Sequence, residues 1–127
     1  MKVVVLLARI LLGAIFLVFG LNGFLHFIPM PPQPGLAGQF FSVFIASHLY
    51  IFVFAFQVIG GLLLLINRYV PLALVLLGPI IVNIVLFHAL MAPSGLGLAA
   101  FVVLLWAILA IRCQAYFRSL FVQKTET

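Results

Sequence analysis

The chain has 127 residues, of which 68% are hydrophobic and 6% are charged. Soluble domains carry roughly 45–50% apolar and about 25% charged residues, so this composition excludes a water-soluble globule. The net charge of +5 does not indicate nucleic-acid binding, because the six basic residues stand singly between apolar runs and form no basic stripe.

The length predicts a single transmembrane domain over residues 1–127. A hydrocarbon core about 30 Å thick is crossed by roughly 20 apolar residues in a helix, so the chain has room for about four spans with short connections. We therefore predict an all-α integral membrane protein, a four-helix bundle. Cys113 is the only cysteine, which excludes an internal disulfide and a cysteine pair for redox chemistry.

The first span is predicted at residues 3–27. Lys2 precedes it, but the apolar run contains no small-x-small cleavage site, so we interpret it as a retained helix and not as a signal peptide. A proline-rich stretch from Ile28 to Gly35 ends the helix. Residues 36–47 are apolar but too short to span. Within the outer loop 28–47, we expect them to form a short interfacial or re-entrant segment.

Three more spans are expected at residues 48–67, 71–91 and 96–116, separated by polar or proline-containing turns. A polar tail follows at residues 117–127. Pro79 lies inside the third span, and proline cannot donate a hydrogen bond to the carbonyl of Val75, four residues earlier. We therefore expect a kink at this point of the helix.

The basic residues predict the orientation. Every Lys and Arg falls near the N-terminus, in the turn after the second span, or near the C-terminus. Under the positive-inside rule, both termini face the cytoplasm. We interpret four of the cations as membrane anchors near the headgroups: Arg9, Arg68, Arg112 and Arg118.

Polar side chains within the first three spans form a candidate site between the bilayer midplane and the outer surface. Hydrocarbon offers no hydrogen-bond partner, so we expect these side chains to face one another inside the bundle. Their simplest role is hydrogen bonding between helices. His48 is expected to be an interfacial histidine. The five candidate ligand-binding residues are Asn22, His26, Gln57, Asn83 and His88.

These amides and imidazoles fit three ligand chemistries. A quinone is suited to the cluster, because His26 or His88 can donate a hydrogen bond and a proton to one carbonyl while Asn83 or Gln57 holds the other. Haem b with His26 and His88 as axial ligands is a second possibility, and a chlorophyll-type pigment with one axial histidine is a third. No other metal site is predicted.

Three segments resemble the bacterial DoxX family of small membrane proteins: Gly20-Leu21-Asn22, the Gly60-Gly61 pair with the leucines after it, and Gly78-Pro79 through Asn83 to His88. The resemblance spans almost the whole chain. It implies four membrane helices in the bacterial inner membrane and an association with redox systems, including a thiosulfate:quinone oxidoreductase. Many members carry lysine where Gly23 stands and an acidic residue near Gln57, and both groups are missing here.

Three functions follow as hypotheses. The first is a noncatalytic or accessory subunit of a respiratory or photosynthetic membrane complex, which is not an enzyme on its own. The second is a quinone-binding subunit of an oxidoreductase. The third is a small-solute transporter, based on a faint repeat of an Arg, an Asn and a His in the first and third spans. The expected partners are membrane lipids and a larger membrane complex or further copies of the chain, without nucleic acid.

Overall fold

A computed structural model describes residues 1–30 and 32–126, and within them the chain is helical with no strand. Pro31 and Thr127, which belong to the predicted outer loop and tail, lie outside the described residues. Two short 3-10 turns lie at Pro93–Gly95 and Arg118–Phe121. The α-helices are α1 Lys2–Leu25, α2 Gly35–Ala46, α3 Leu49–Ile66, α4 Val70–Leu90, α5 Leu96–Arg112 and α6 Gln114–Phe117.

Four of these elements are long and apolar enough to cross a membrane: α1, α3, α4, and α5 with the 3-10 turn before it. The prediction of an all-helical protein with four membrane-capable helices is therefore confirmed. The buried side chains of these four helices pack against one another in a single hydrophobic core. The core includes Leu12, Phe16, Leu64, Leu74, Leu77, Leu105 and Leu109.

Neighbouring spans run antiparallel. Gly13 of α1 lies beside Gly61 of α3, whereas Gly20, seven residues later, lies beside Gln57. Short turns then reverse the chain between α3 and α4 and between α4 and α5. One end of the bundle, the basic end, thus holds the start of α1, the end of α3, the start of α4 and the end of α5. The opposite end, the histidine end, holds His26, His48 and His88.

Helix ends depend on residues in the left-handed region. α1 ends at Leu25, two residues before the predicted Phe27, because His26 adopts φ 53° and ψ 43°. His48 precedes α3 with φ 63°, and Asn67 follows α3 with φ 56°. Histidine and asparagine are enriched among the non-glycine residues that adopt this conformation. These three polar residues therefore mark where the chain leaves one helix and enters the next.

The predicted outer loop 28–47 contains a regular helix, α2, which the sequence reasoning did not assign. Gly35 starts it with φ 66°, a conformation open to glycine. Its aromatic side chains pack against the neighbouring spans: the ring centroids of Phe44 and Phe54 of α3 are 5.9 Å apart, and those of Phe41 and Phe87 of α4 are 5.2 Å apart. The segment is thus held against the bundle by aromatic contacts.

α4 continues through Pro79 from Val70 to Leu90. Five residues before the proline, the carbonyl of Leu74 accepts a hydrogen bond from Nε1 of Trp106, at 3.0 Å. This hydrogen bond joins α5 to α4 near the proline. α5 ends at Arg112, earlier than the predicted residue 116, and the chain then forms α6 and a 3-10 turn.

Candidate functional site

Asn22 is one of two buried polar residues in the described part of the chain. Its side-chain Oδ1 accepts a hydrogen bond of 2.7 Å from the backbone N–H of Ile28, and its backbone carbonyl accepts one of 2.9 Å from the N–H of His26. Both partners belong to the segment that leaves α1. Asn22 therefore closes the C-terminal end of its own helix, where the last carbonyls lack helical donors, and its side chain provides an acceptor for an N–H group beyond the helix.

Gln57 is the second buried polar residue and lies where α3 meets α1. A Cβ on Gly20 of α1 would lie 3.0 Å from Cβ of Gln57. Gly61, one helical turn later on the same face, approaches even closer: a Cβ there would lie 2.6 Å from the backbone nitrogen of Leu17. The face of α3 that carries Gln57 and Gly61 is thus the face that contacts α1, and small residues allow the close approach.

His26 and His48 are both exposed, and both adopt left-handed backbone conformations at helix boundaries. At the second boundary, the hydroxyl of Ser47 donates to the carbonyl of Phe44 at 3.3 Å and accepts from the N–H of Leu49 at 3.3 Å. The two histidines therefore take part in chain reversal at the histidine end, a role that was predicted neither for His26, a candidate ligand, nor for His48, an expected interfacial histidine.

His88 and Asn83 differ in their surroundings although both belong to α4. Nδ1 of His88 donates to the carbonyl of Ile84 at 2.8 Å, since a carbonyl oxygen only accepts. Nε2 is then the acceptor nitrogen of the neutral ring, and the ring edge that carries it lies beside Gly95 of the turn before α5. Asn83 is exposed on the surface of α4.

The five candidate residues thus lie in separate environments. Asn22 and Gln57 are buried, His88 is half-buried, and His26 and Asn83 are exposed. Two cavities are the best formed among residues 1–30 and 32–126. One lies along α2 between Pro32 and Ala46, the other lies between α4 and α5, and none of the five residues lines either cavity. A ligand site formed by all five remains a prediction.

The sequence reasoning missed a cluster of aromatic rings at the histidine end. Phe24 of α1 contacts Phe54 of α3 with ring centroids 6.3 Å apart, and Phe40 of α2 contacts Phe87 of α4 at 5.3 Å. The cluster therefore joins four helices. The sequence does contain an indication of this cluster: the phenylalanines at 40, 41 and 44 occupy neighbouring positions on one face of a helix. The aromatic cluster consists of Phe24, Phe40, Phe41, Phe44, Tyr50, Phe54 and Phe87.

Comparison with protein families identifies the chain. The model of the family described as DoxX matches residues 4–89, which is more than half of the sequence. The chain belongs to the DoxX family. No curated protein and no solved structure shows significant similarity to it. The DoxX match takes in α1 to α4 and the aromatic cluster, while α5, with Trp106 and Cys113 near its end, lies beyond the matched residues.

Within the DoxX region, Arg9 has a partner that the sequence did not reveal. Its guanidinium, half-buried on α1, donates to the carbonyl of Leu64 and, at 3.3 Å, to that of Leu65. Both carbonyls lie in the last turn of α3, where the helix dipole is negative and backbone acceptors lack helical donors. Arg9 therefore joins two spans, whereas Arg68, Arg112 and Arg118, the other predicted anchors, are exposed at the basic end.

Cys113 follows α5 and packs half-buried against the core. Burial raises the pKa of its thiol, and the neighbouring positive charge of Arg112 acts in the opposite direction. The thiol is therefore less reactive at neutral pH than a free cysteine. Within the described part of this DoxX chain, no group of three or more His, Cys, Asp or Glu residues is placed to hold a metal ion.

Proposed function

We propose that this DoxX-family chain is a noncatalytic, accessory subunit of a redox complex in a bacterial inner membrane. The observation that carries the proposal is that polar side chains of the spans form hydrogen bonds within the chain. The side chains of Asn22, His88 and Arg9 all hydrogen-bond to backbone groups of the chain itself. These groups stabilise the bundle, and the surface left for interaction is the apolar outside of the spans.

That apolar surface is broad. On α5, Leu98, Phe101, Leu104 and Ile111 are 52%, 41%, 55% and 68% exposed, in a helix whose opposite side packs into the core. In a bilayer such a face meets either lipid or the helix of a partner. Helix association within membranes depends on van der Waals packing, so an apolar and aromatic face is suited to a larger membrane subunit.

The experiment is deletion and complementation in the native host. We expect loss of the chain to lower both the amount of an assembled quinone-reducing complex on native gels and its activity in isolated membranes. Wild type, His88→Gln and Asn83→Leu should each restore both. An unchanged complex in the deletion strain contradicts the accessory role.

One observation favours a second candidate, a quinone-binding subunit. The hydrogen bond from Nδ1 of His88 to the carbonyl of Ile84 fixes the ring and leaves Nε2 as an acceptor. The quinol that quinone reduction produces can donate a hydroxyl hydrogen bond to such a nitrogen. Under this alternative, His88→Gln restores the assembled complex but not quinone reduction. The same strains therefore separate the two functions.

A further inference from the structure

α4 and α5 leave a groove between them that opens to the outside of the bundle. Its volume is about 360 Å³, and its walls are five α4 residues between positions 78 and 86 together with Val103 and Trp106 of α5. Volumes of roughly 300–1,000 Å³ are typical of sites for small molecules. Every lining residue is glycine or apolar, apart from the indole nitrogen of Trp106.

That nitrogen is already engaged. Nε1 of Trp106 donates to the carbonyl of Leu74 at 3.0 Å, so the indole presents its apolar ring to the groove. The space beside Gly78 is open. A Cβ at this position would have one neighbour within 4 Å, Cζ2 of Trp106 at 3.7 Å, and glycine leaves that space unfilled. No close helix contact requires this glycine, although glycine inside a helix is less stable than alanine. The groove thus offers a fixed, open and apolar surface.

The depth of the groove decides what can fill it. Gly78 lies eight residues into α4, about 12 Å from its start, and Leu86 lies four residues before its end, about 6 Å from it. α4 is 21 residues long, close to the roughly 20 residues that cross a hydrocarbon core. The groove therefore lies at the depth of lipid tails, where an unfilled cleft loses dispersion contacts on its walls.

We propose that this groove binds one acyl chain of a membrane phospholipid. A second copy of the chain fits less well, because seven residues line the groove, whereas a stable protein interface involves about 20–30 residues on each side. A single hydrocarbon chain suits an apolar cleft of about 360 Å³ between two helices. The inference does not depend on the accessory role, since no groove residue is among the exposed α5 residues that the role assigns to a partner.

The position of Trp106 makes the proposal testable, because it is the only tryptophan in the chain. The full chain is reconstituted in vesicles of dioleoylphosphatidylcholine or of its dibrominated counterpart, whose bromines quench indole fluorescence. It is then transferred to a mild unbrominated detergent. We expect quenching to persist after transfer, and native mass spectrometry to show one phospholipid per chain.

Val82→Phe fills the groove from α4, and Val103→Phe fills it from α5. Val75→Phe is the matched control, because Val75 is exposed on α4 but does not line the groove. We expect retention of the phospholipid to weaken at least about tenfold in both groove variants, a change of about 1.4 kcal/mol, and to be unchanged in the control. Circular dichroism verifies that each variant folds, and the two groove variants act from different helices.

Three outcomes overturn the proposal. Equal retention in the groove and control variants shows that the lipid is held elsewhere. Copurification of an isoprenoid quinone in place of the phospholipid shows a different hydrocarbon occupant. A dimer without bound lipid, converted to a monomer by Val82→Phe, shows that a second copy covers the groove.

Discussion

Four polar side chains on the membrane-capable helices bond to the chain's own backbone. Arg9, Asn22, His88 and Trp106 each join a side-chain atom to a carbonyl or an N–H group. In water, such hydrogen bonds compete with bonds to solvent. Hydrocarbon supplies no competing partner, so the bonds are retained there. From the residue types alone, one can predict that these side chains need hydrogen-bond partners. The identity of the backbone groups that serve as partners depends on which helices lie side by side, which the sequence does not show.

Removing the guanidinium of Arg9 tests the link between α1 and α3. We expect Arg9→Met to lower the free energy of unfolding by about 1.5–3 kcal/mol, since hydrogen bonds of a charged donor to the Leu64 and Leu65 carbonyls are lost. Unfolding is measured by titration with sodium dodecyl sulfate in mixed micelles. Arg118→Met, in the exposed 3-10 turn, is the control and should change the value by about 0.5 kcal/mol or less. Equal losses in the two variants contradict the assignment.

A second residue-scale test compares two asparagines. Asn22→Leu leaves the N–H of Ile28 without its acceptor, and we expect a loss of about 1–3 kcal/mol in the same titration. Asn83→Leu replaces an exposed amide by an apolar side chain of similar size and should be neutral or stabilising. A greater loss at position 83 than at position 22 means that Asn83, not Asn22, has the structural partner.

The thiol of Cys113 predicts a pH dependence. Because burial raises its pKa, the thiolate fraction at pH 7 to 8 is below that of a free cysteine, and alkylation should be slow until the pH exceeds the usual range for a thiol. Arg112→Gln removes the charge that lowers the pKa, so alkylation at a given pH should slow further. The measurement is the rate of iodoacetamide labelling from pH 7 to 10. Faster labelling in Arg112→Gln is incompatible with this electrostatic account.

At the scale of the helix, the close packing of α1 on α3 depends on glycine. The Gly60-Gly61 pair is visible in the sequence, but the neighbours of Gly61, which are Leu17 and Gly13 of α1, are given only by the structure. α2 was not predicted as a helix, because twelve mostly apolar residues after a proline-rich stretch fit several conformations. Its contacts with Phe54 and Phe87 lie outside the segment, where local patterns carry no information.

Gly61→Ala tests the α1–α3 contact. The added Cβ would lie 2.6 Å from the nitrogen of Leu17 and 2.7 Å from the carbonyl oxygen of Gly13, so the helices must separate. We expect a loss of about 1–3 kcal/mol, as for overpacking of a core. Gly97→Ala is the control: nothing lies within 4 Å of a Cβ there, and alanine favours the helix, so this variant should be as stable as wild type or more so.

At the scale of the whole molecule, the Lys and Arg residues lie at one end of the bundle. Lys2, Arg68 and Arg112 lie at the basic end, and the sequence places no Lys or Arg between residues 10 and 67 or between 69 and 111. Hydropathy and charge thus predicted the number of spans, because burial in lipid acts on each segment separately. They did not predict the separation of the five candidate residues, which depends on how each helix is rotated about its axis.

Labelling tests the prediction that both termini lie in the cytoplasm. In a Cys113→Ser background, Thr125→Cys and Ser94→Cys place one thiol at each end, both at exposed positions. A membrane-impermeant maleimide should label residue 94 in intact spheroplasts and residue 125 only in inverted vesicles. Labelling of residue 125 in spheroplasts reverses the proposed orientation.

The aromatic contacts between α2 and α4 form late in synthesis of the chain. Phe41 packs against Phe87, which follows it by 46 residues, so the contact forms only after α3 and most of α4 have left the ribosome. At about 5–20 residues per second, that interval lasts seconds. During this time the phenylalanines of α2 have no α4 to cover them, and the insertion machinery or the headgroup region must shelter them until the bundle closes.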